Sequence, residues 1–166
     1  EDDTTGWSTP PAVLILQEVN EGDQVTLRNL LNLEVPGPTW RIATYTNSDS
    51  GGAQACIYRG ELLTESVSDH QDIFTGAGRF SDRWRFTIDA TNGSTGFWVY
   101  SCHLKASQGS SNEDLRESGT QAILNNIASL PSNANIIWGG DFNFYSNSEP
   151  GYDLIVNTVG SNAIVD

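Results

Sequence analysis

Three apolar runs in this chain each deliver a polar, potentially reactive side chain to their C-terminal ends. "VLILQE" ends at Glu18, "FWVYSCHL" carries His103 near its end, and "NIIWGGDFN" passes through Gly139 and Gly140 into Asp141 and Asn143. Two carboxylates and an amide are hard oxygen donors suited to Mg²⁺, Mn²⁺ or Ca²⁺. An imidazole beside them supplies acid–base or anion-stabilising chemistry near neutral pH. A carboxylate at the mouth of a buried strand is costly unless something such as a cation pairs with it. Each residue also has a plainer reading. Glu18 fits a solvated strand end, His103 a hydrogen-bonded core histidine, and Asp141 with Asn143 a turn. It is the repetition, three times, of an apolar run delivering a polar group to its C-terminal end that points to a shared rim, as sheet-based active sites are built.

The elements that must position these groups follow from the pattern. Residues 12–18, 40–46, 53–59, 62–67, 83–90, 96–104 and the run opening at Asn135 read as strands. Gly60-Glu61 suggests a hairpin between 53–59 and 62–67, and Asn92-Gly93 another between 83–90 and 96–104. Leu27, Leu30, Leu31 and Val35 recur at helical spacing until Pro36 and Pro38. "SSNEDLRESGTQAILNNIASL" predicts a helix with Ser110 and Glu113 at capping-box spacing and Pro131 closing it. Residues 1–11, 47–52 and 145–151 read as loops, and 152–157 as a short apolar run. Sheets with wholly apolar strand cores, covered by helices, are the expected architecture.

At 166 residues the chain suffices for one domain with a real core, and no apolar run approaches the ~18 residues of a membrane span. Net charge is −13, and Lys105 is the sole lysine. Such a surface repels nucleic acid at long range, although a bound cation would admit a phosphate locally. Cys56 and Cys102 sit in strand-like runs and read as two unpaired core thiols, with a disulfide the alternative. No CxxC supports a zinc ribbon. Residue 1 is Glu and no leader pattern is visible, so the expectation is a processed chain or a piece of a longer one.

"LILQEVN", "YSCHLKAS", Arg116 and Gln121, and "IIWGGDFNFYSNSEPGY" occur in the order of the endonuclease/exonuclease/phosphatase superfamily, the group similar to deoxyribonuclease I. The resemblance covers roughly residues 12–157. It implies an α/β (α+β) four-layer sandwich of two packed mixed β-sheets flanked by helices, and hydrolysis of phosphodiester or phosphomonoester bonds with Mg²⁺ (or Mn²⁺ or Ca²⁺). By motif, Glu18 resembles the metal-binding Glu and Asp141 the residue that orients the nucleophile or a metal-bound water. His103 resembles the histidine at the scissile phosphate, and Asn143 the Asn that holds it. Arg59, Arg79, Arg83 and Lys105 are candidate phosphate contacts, with ordinary surface charge the alternative. The motif variants look most similar to secreted bacterial members, so an extracellular location is expected, with a phosphoester, DNA or RNA among the substrates.

The resemblance also implies an opening strand ending in Asn and a C-terminal Ser-Asp-His box, and neither is among these residues. A single partial domain over residues 1–166 is therefore expected, lacking N- and C-terminal strands, with a complementing chain or oligomer as a possible partner. The alternative function is a shortened, catalytically impaired relative acting as a binding or structural module. Ser68-Asp69-His70 lies between the first two motif boxes and reads as a polar loop.

Overall fold

The computed structural model describes residues 10–47, 49 and 51–159. The expected loop over 1–11 lies mostly outside them, as does part of 47–52. Among the described residues eight strands form two sheets. The smaller is antiparallel, with β3 (Ala53–Arg59) between β1 (Val13–Val19) and β2 (Trp40–Ile42). The larger has β4 (Leu63–Glu65) and β5 (Gln71–Gly76) paired to successive parts of β6 (Arg79–Ile88), then β7 (Gly96–His103), then β8 (Ile136–Asp141). All its pairs are antiparallel except β7 with β8, so the larger sheet is mixed. Helix α1 (Asp23–Glu34) packs on the small sheet; α2 (Ser110–Ala128) packs on β5 and on α3 (Pro150–Val159). The order of layers is helix, small sheet, large sheet, helices, as expected. No described helix is long and apolar enough to cross a membrane.

Two cores separate these layers. Cys56, Tyr58, Trp84, Phe86 and Val99 meet between the sheets, while Tyr100, Cys102, Leu104 and Ile123 meet between the large sheet and α2. Strand alternation therefore fixes what β7 offers. Tyr100, Cys102 and Leu104 face α2, so Val99, Ser101 and His103 face the small sheet. The same alternation on β8 sends Ile136 and Trp138 to the helix side and Gly139 and Asp141 to the His103 side. Both cysteines are free and buried. Burial raises both thiols, and Cys102 is pushed up to about 12, which makes them inert packing groups.

Several local expectations need correction. Strands β3 and β4 form no hairpin, because β3 is paired on both edges by β1 and β2 and β4 joins the other sheet. The helix α2 begins at Gly109 with no side-chain cap, so the Ser110–Glu113 box is not used. Among the described residues β8 is an edge strand, with Ile137 about half exposed (55%), rather than a buried one. The stretch 71–76 is a strand, and the run 152–157 lies in α3. The hairpin at Asn92-Gly93 forms, with a 3-10 turn over Asp89–Thr91 leading into it.

Candidate active site

The rim is assembled from the ends of β1, β7 and β8. Residues β1 and β7 meet across the sandwich, where the Gln17 amide donates to Ser101 Oγ at 2.9 Å. One residue on, Glu18 Oε1 lies 3.6 Å from His103 Nε2. Glu18 sits at a bulge, where the pairing of β1 with β3 shifts between Leu16 and Val19. Its backbone takes the left-handed region (φ 58). Gly52 makes this possible: a Cβ there would stand 2.6 Å from Glu18 Cα. The bulge turns the Glu18 side chain outward, 69% exposed, while the imidazole it meets is 2% exposed.

His103 has defined chemistry at both ring nitrogens. Arg79 Nη1 stands 2.8 Å from Nδ1. A guanidinium can only donate, so Nδ1 is the acceptor and the ring proton of the neutral imidazole is on Nε2, facing Glu18. Asp49 holds Arg79 from behind, with Oδ1 at 3.5 Å, while its Oδ2 accepts from Phe80 N–H and the Gln54 amide.

Asp141 is the parallel partner of His103 in the β7–β8 register. Its carbonyl accepts from Leu104 N–H at 2.9 Å, and its Oδ1 accepts from Asn143 N–H at 2.9 Å. The Asn143 amide donates to Leu104 O at 3.1 Å from a left-handed backbone (φ 53). This turn reverses the chain over the end of β7 and leaves the carboxylate exposed. Gly140 is obligatory there, since at φ 132 an added Cβ would lie 2.2 Å from Cys102 O. The turn and the site readings of Asp141 and Asn143 are thus one structure.

Lys105 follows two residues after His103. The loop that carries it is pinned by Arg116, which is fully buried. Arg116 Nη1 donates to Lys105 O and Ser107 O, and Nε donates to Glu149 at 2.7 Å. Burial raises the Glu149 carboxyl, but hydrogen bonds from Arg116 and from Tyr145 N–H outweigh it and leave the group below its ordinary range. The glutamate of "SNSEPGY" is therefore a structural counter-ion joining α2 to the loop before α3.

The structure brings together Glu18, His103, Asp141, Asn143, Arg79 and the Lys105 loop. It does not bring Arg59 or Arg83 there. Arg59 N–H donates to Ala12 O at the opposite end of β1 from Glu18, and its side chain pairs with Glu61 at 2.7 Å. Arg83 binds Asp69 O and Asn126 and lies 4.7 Å over the Trp98 ring, on the α2 side of the large sheet. Sequence reading missed Asp49, whose signal was available: an acid followed by Gly51-Gly52 in a polar loop. It also passed over His70. Val67–Asp69 is a 3-10 turn within the expected loop, but His70 is half-buried beside Asp72 and Asp82.

The donor set suits a divalent cation. Glu18 and Asp141 each offer an exposed carboxylate, a hard ligand, although among the described residues the group of three whose ligand atoms lie within 4.8 Å of one another is His70, Asp72 and Asp82.

Residues 8–158 match the model of the Endonuclease/Exonuclease/phosphatase family. Among solved structures the human Nocturnin catalytic domain with bound sulfate anion is similar at 19% identity and TM-score 0.67, over 92% of this chain and 57% of that one. The mannosyl-6-phosphatase of Bacteroides thetaiotaomicron VPI-5482 is similar at 15% identity and TM-score 0.65, over 89% and 56%. The D. rerio TDP2 complexed with single strand DNA product is similar at 18% identity and TM-score 0.59, over 82% and 50%. No curated protein sequence matches the chain. The chain thus spans little more than half the length of these structures. With the family model covering nearly all of its residues and the fold shared, the chain belongs to the endonuclease/exonuclease/phosphatase family.

Proposed function

We propose that the rim is the phosphate-binding and proton-handling face of a divalent-metal-dependent phosphoester hydrolase. The observation that carries this reading is the meeting of Glu18, His103, Asp141 and Asn143, with His103 held so that Nε2–H faces the rim. Family membership supports it, as do two structural neighbours, a mannosyl-6-phosphatase and a TDP2 complexed with single strand DNA product.

Glu18, with Asp141, would hold the ion, Mg²⁺ or failing that Mn²⁺ or Ca²⁺, which supplies positive charge to the phosphoryl oxygens. The remaining work falls to side chains. His103 Nε2–H donates to a phosphoryl or leaving-group oxygen. Arg79 keeps the ring in that tautomer and cannot take its proton. Asp141 accepts a hydrogen bond from the attacking water and orients it. Asn143 uses one amide N–H on Leu104 O, which leaves the second to donate to the phosphate. Lys105 adds a point charge beside the same oxygens.

The substrate is held by one phosphate rather than along a backbone. Of eight basic residues, Arg79 touches the rim imidazole directly, and Lys105 is carried on the adjoining loop, where its Nζ donates to Ala106 O. Affinity for a polyanion therefore has a shallow salt dependence, because few phosphates are neutralised. A second imidazole is also lacking there, since His70, the only other histidine, belongs to a different cluster.

The test is hydrolysis of a chromogenic phosphodiester and a phosphomonoester with Mg²⁺ or Mn²⁺. Turnover that needs the cation is expected, falling by ~10²-fold or more in His103→Ala. Turnover indifferent to His103→Ala would overturn the assignment.

A further inference from the structure

Behind the rim, His70, Asp72 and Asp82 each bring one ligand-capable atom into a space where these atoms all lie within 4.8 Å of one another. Asp72 on β5 and Asp82 on β6 are direct cross-strand partners. His70 immediately precedes β5, with its ring 5.8 Å from that of Trp84 and Nε2 at 3.4 Å from Asp72 Oδ1. Two polar atoms here are buried without any hydrogen-bond partner, His70 Nε2 and Asp82 Oδ2. Asp82 is 1% exposed. Two carboxyl groups directly opposite on a sheet repel once both are ionised, and a buried carboxyl oxygen without a partner is costly. A cation would reverse both effects at once.

The surroundings favour one. Thr46 Oγ1 donates to Asp72 Oδ1 at 2.6 Å, an outer contact of the kind that orients ligating carboxylates.

We propose that His70 Nε2 and the carboxylates of Asp72 and Asp82 form a second cation site, distinct from the rim, for a divalent transition ion of the Zn²⁺ or Mn²⁺ class. One imidazole nitrogen with two carboxylates suits these ions better than Mg²⁺ or Ca²⁺, which take oxygen ligands. Its role is structural. The buried Asp82 leaves no room for an ester, and the ion would tie β5 to β6 and, through Thr46, to the segment after β2. That segment leads to Asp49, the residue that seats Arg79.

The probe is Co²⁺, which reports its ligands in visible absorption, titrated into the 166-residue chain and then displaced by Zn²⁺. One equivalent with ligand-field bands is expected, with a rise in Tm on adding Zn²⁺. His70→Gln and Asp82→Asn should each weaken uptake by at least ~10-fold, the lower limit for disturbing even outer contacts of a metal site. Glu18→Gln should leave these bands in place. The chain has two histidines, so its imidazole proton resonances give a second readout on wild type even if a variant does not fold. Co²⁺ should shift or broaden the His70 signals. Absence of uptake, bands abolished by Glu18→Gln, or perturbation of His103 with His70 untouched would each overturn the proposal.

Discussion

The two histidines of this chain lie in opposite electrostatic situations, although each is set beside carboxylates. His103 is the more deeply buried, yet both its nitrogens have partners, Arg79 on one side and Glu18 on the other. The carboxylates around it, Glu18 and Asp141, are exposed, so the charges that face an incoming substrate remain hydrated until it arrives. His70 is less buried; its Nε2 stands 3.4 Å from Asp72 Oδ1 without making a hydrogen bond, and its neighbour Asp82 is buried with one oxygen unsatisfied. The rim therefore keeps unused valences where a ligand can reach them. The inner cluster keeps them where only a small ion fits. Residue type does not distinguish the two; depth and position along the strand do.

The sharpest way to break this comparison is to neutralise one carboxylate from each group. Asp141→Asn should lower phosphoester turnover by ~10²-fold or more, because the water loses its orienting acceptor. Asp82→Asn should leave turnover within a fewfold when assayed with Mg²⁺ after chelation of other metals. Its effect should instead be on stability against pH. In the metal-free protein, Asp82 keeps its proton up to about 8, whereas in the unfolded chain it loses it near 3.9. Between those values the folded state binds more protons, so stability falls as pH rises through that window. Thermal melts from pH 5 to 9 should show this slope in wild type and a flatter one in Asp82→Asn. Equal activity losses in the two variants would mean that the inner cluster belongs to the reaction.

A buried charge pair whose two members are directly joined gives the contrast its control, although Arg116 Nη2 makes no hydrogen bond. Arg116 and Glu149 are both buried, at 0% and 3%, and joined at 2.7 Å. Arg116→Met leaves Glu149 uncompensated, and breaking a buried pair in this way costs about 3–5 kcal/mol. Denaturant melts check this. The pH dependence should run opposite to that of Asp82. The Glu149 carboxyl is depressed on folding, so its stabilisation is present above the unfolded value near 4.3 and is lost as pH falls through the folded one. Glu149→Gln should remove that part of the acid-side loss. A melt of Arg116→Met indistinguishable from wild type would show that the loop of Lys105 is not held by this pair.

The rim was legible in the sequence and the inner cluster was not, for a physical reason. Glu18, His103 and Asp141 each close an apolar run, and a run of that kind states both the strand and its end. Asp72 and Asp82 lie inside strands whose alternation is broken, with Phe74 exposed and the hairpin closed by Gly76, Ala77 and Gly78, all at positive φ. Their meeting depends on cross-strand register, which no single segment expresses. The same limit explains the failed hairpin at Gly60-Glu61. A turn signal specifies reversal of the chain, not whether the preceding strand has a free edge, and β3 has none. Arg79 illustrates a different gap. Its charge was visible, but its contact with His103 Nδ1 requires Asp49 to seat it, and Asp49 comes from a loop thirty residues earlier.

The smallest expected effect concerns the strain stored at the rim. Glu18 holds a left-handed backbone, which costs a non-glycine residue about 1–2 kcal/mol. Glycine adopts it without that penalty but loses more conformational freedom on folding, a counter-term of about 0.5–1 kcal/mol. Glu18→Gly should therefore gain a net ~0.5–1 kcal/mol of stability by these two terms, while losing the carboxylate and with it cation-dependent turnover. Glu18→Asn keeps a polar side chain that tolerates this conformation, so it separates backbone strain from the carboxylate's contact with His103. If strain dominates, denaturant melts place both variants at or above wild type. Should Glu18→Gly and Glu18→Asn both be less stable than wild type, the 3.6 Å contact with the imidazole outweighs the strain. The bulge would then be held in place by its own functional side chain rather than by the small sheet around it.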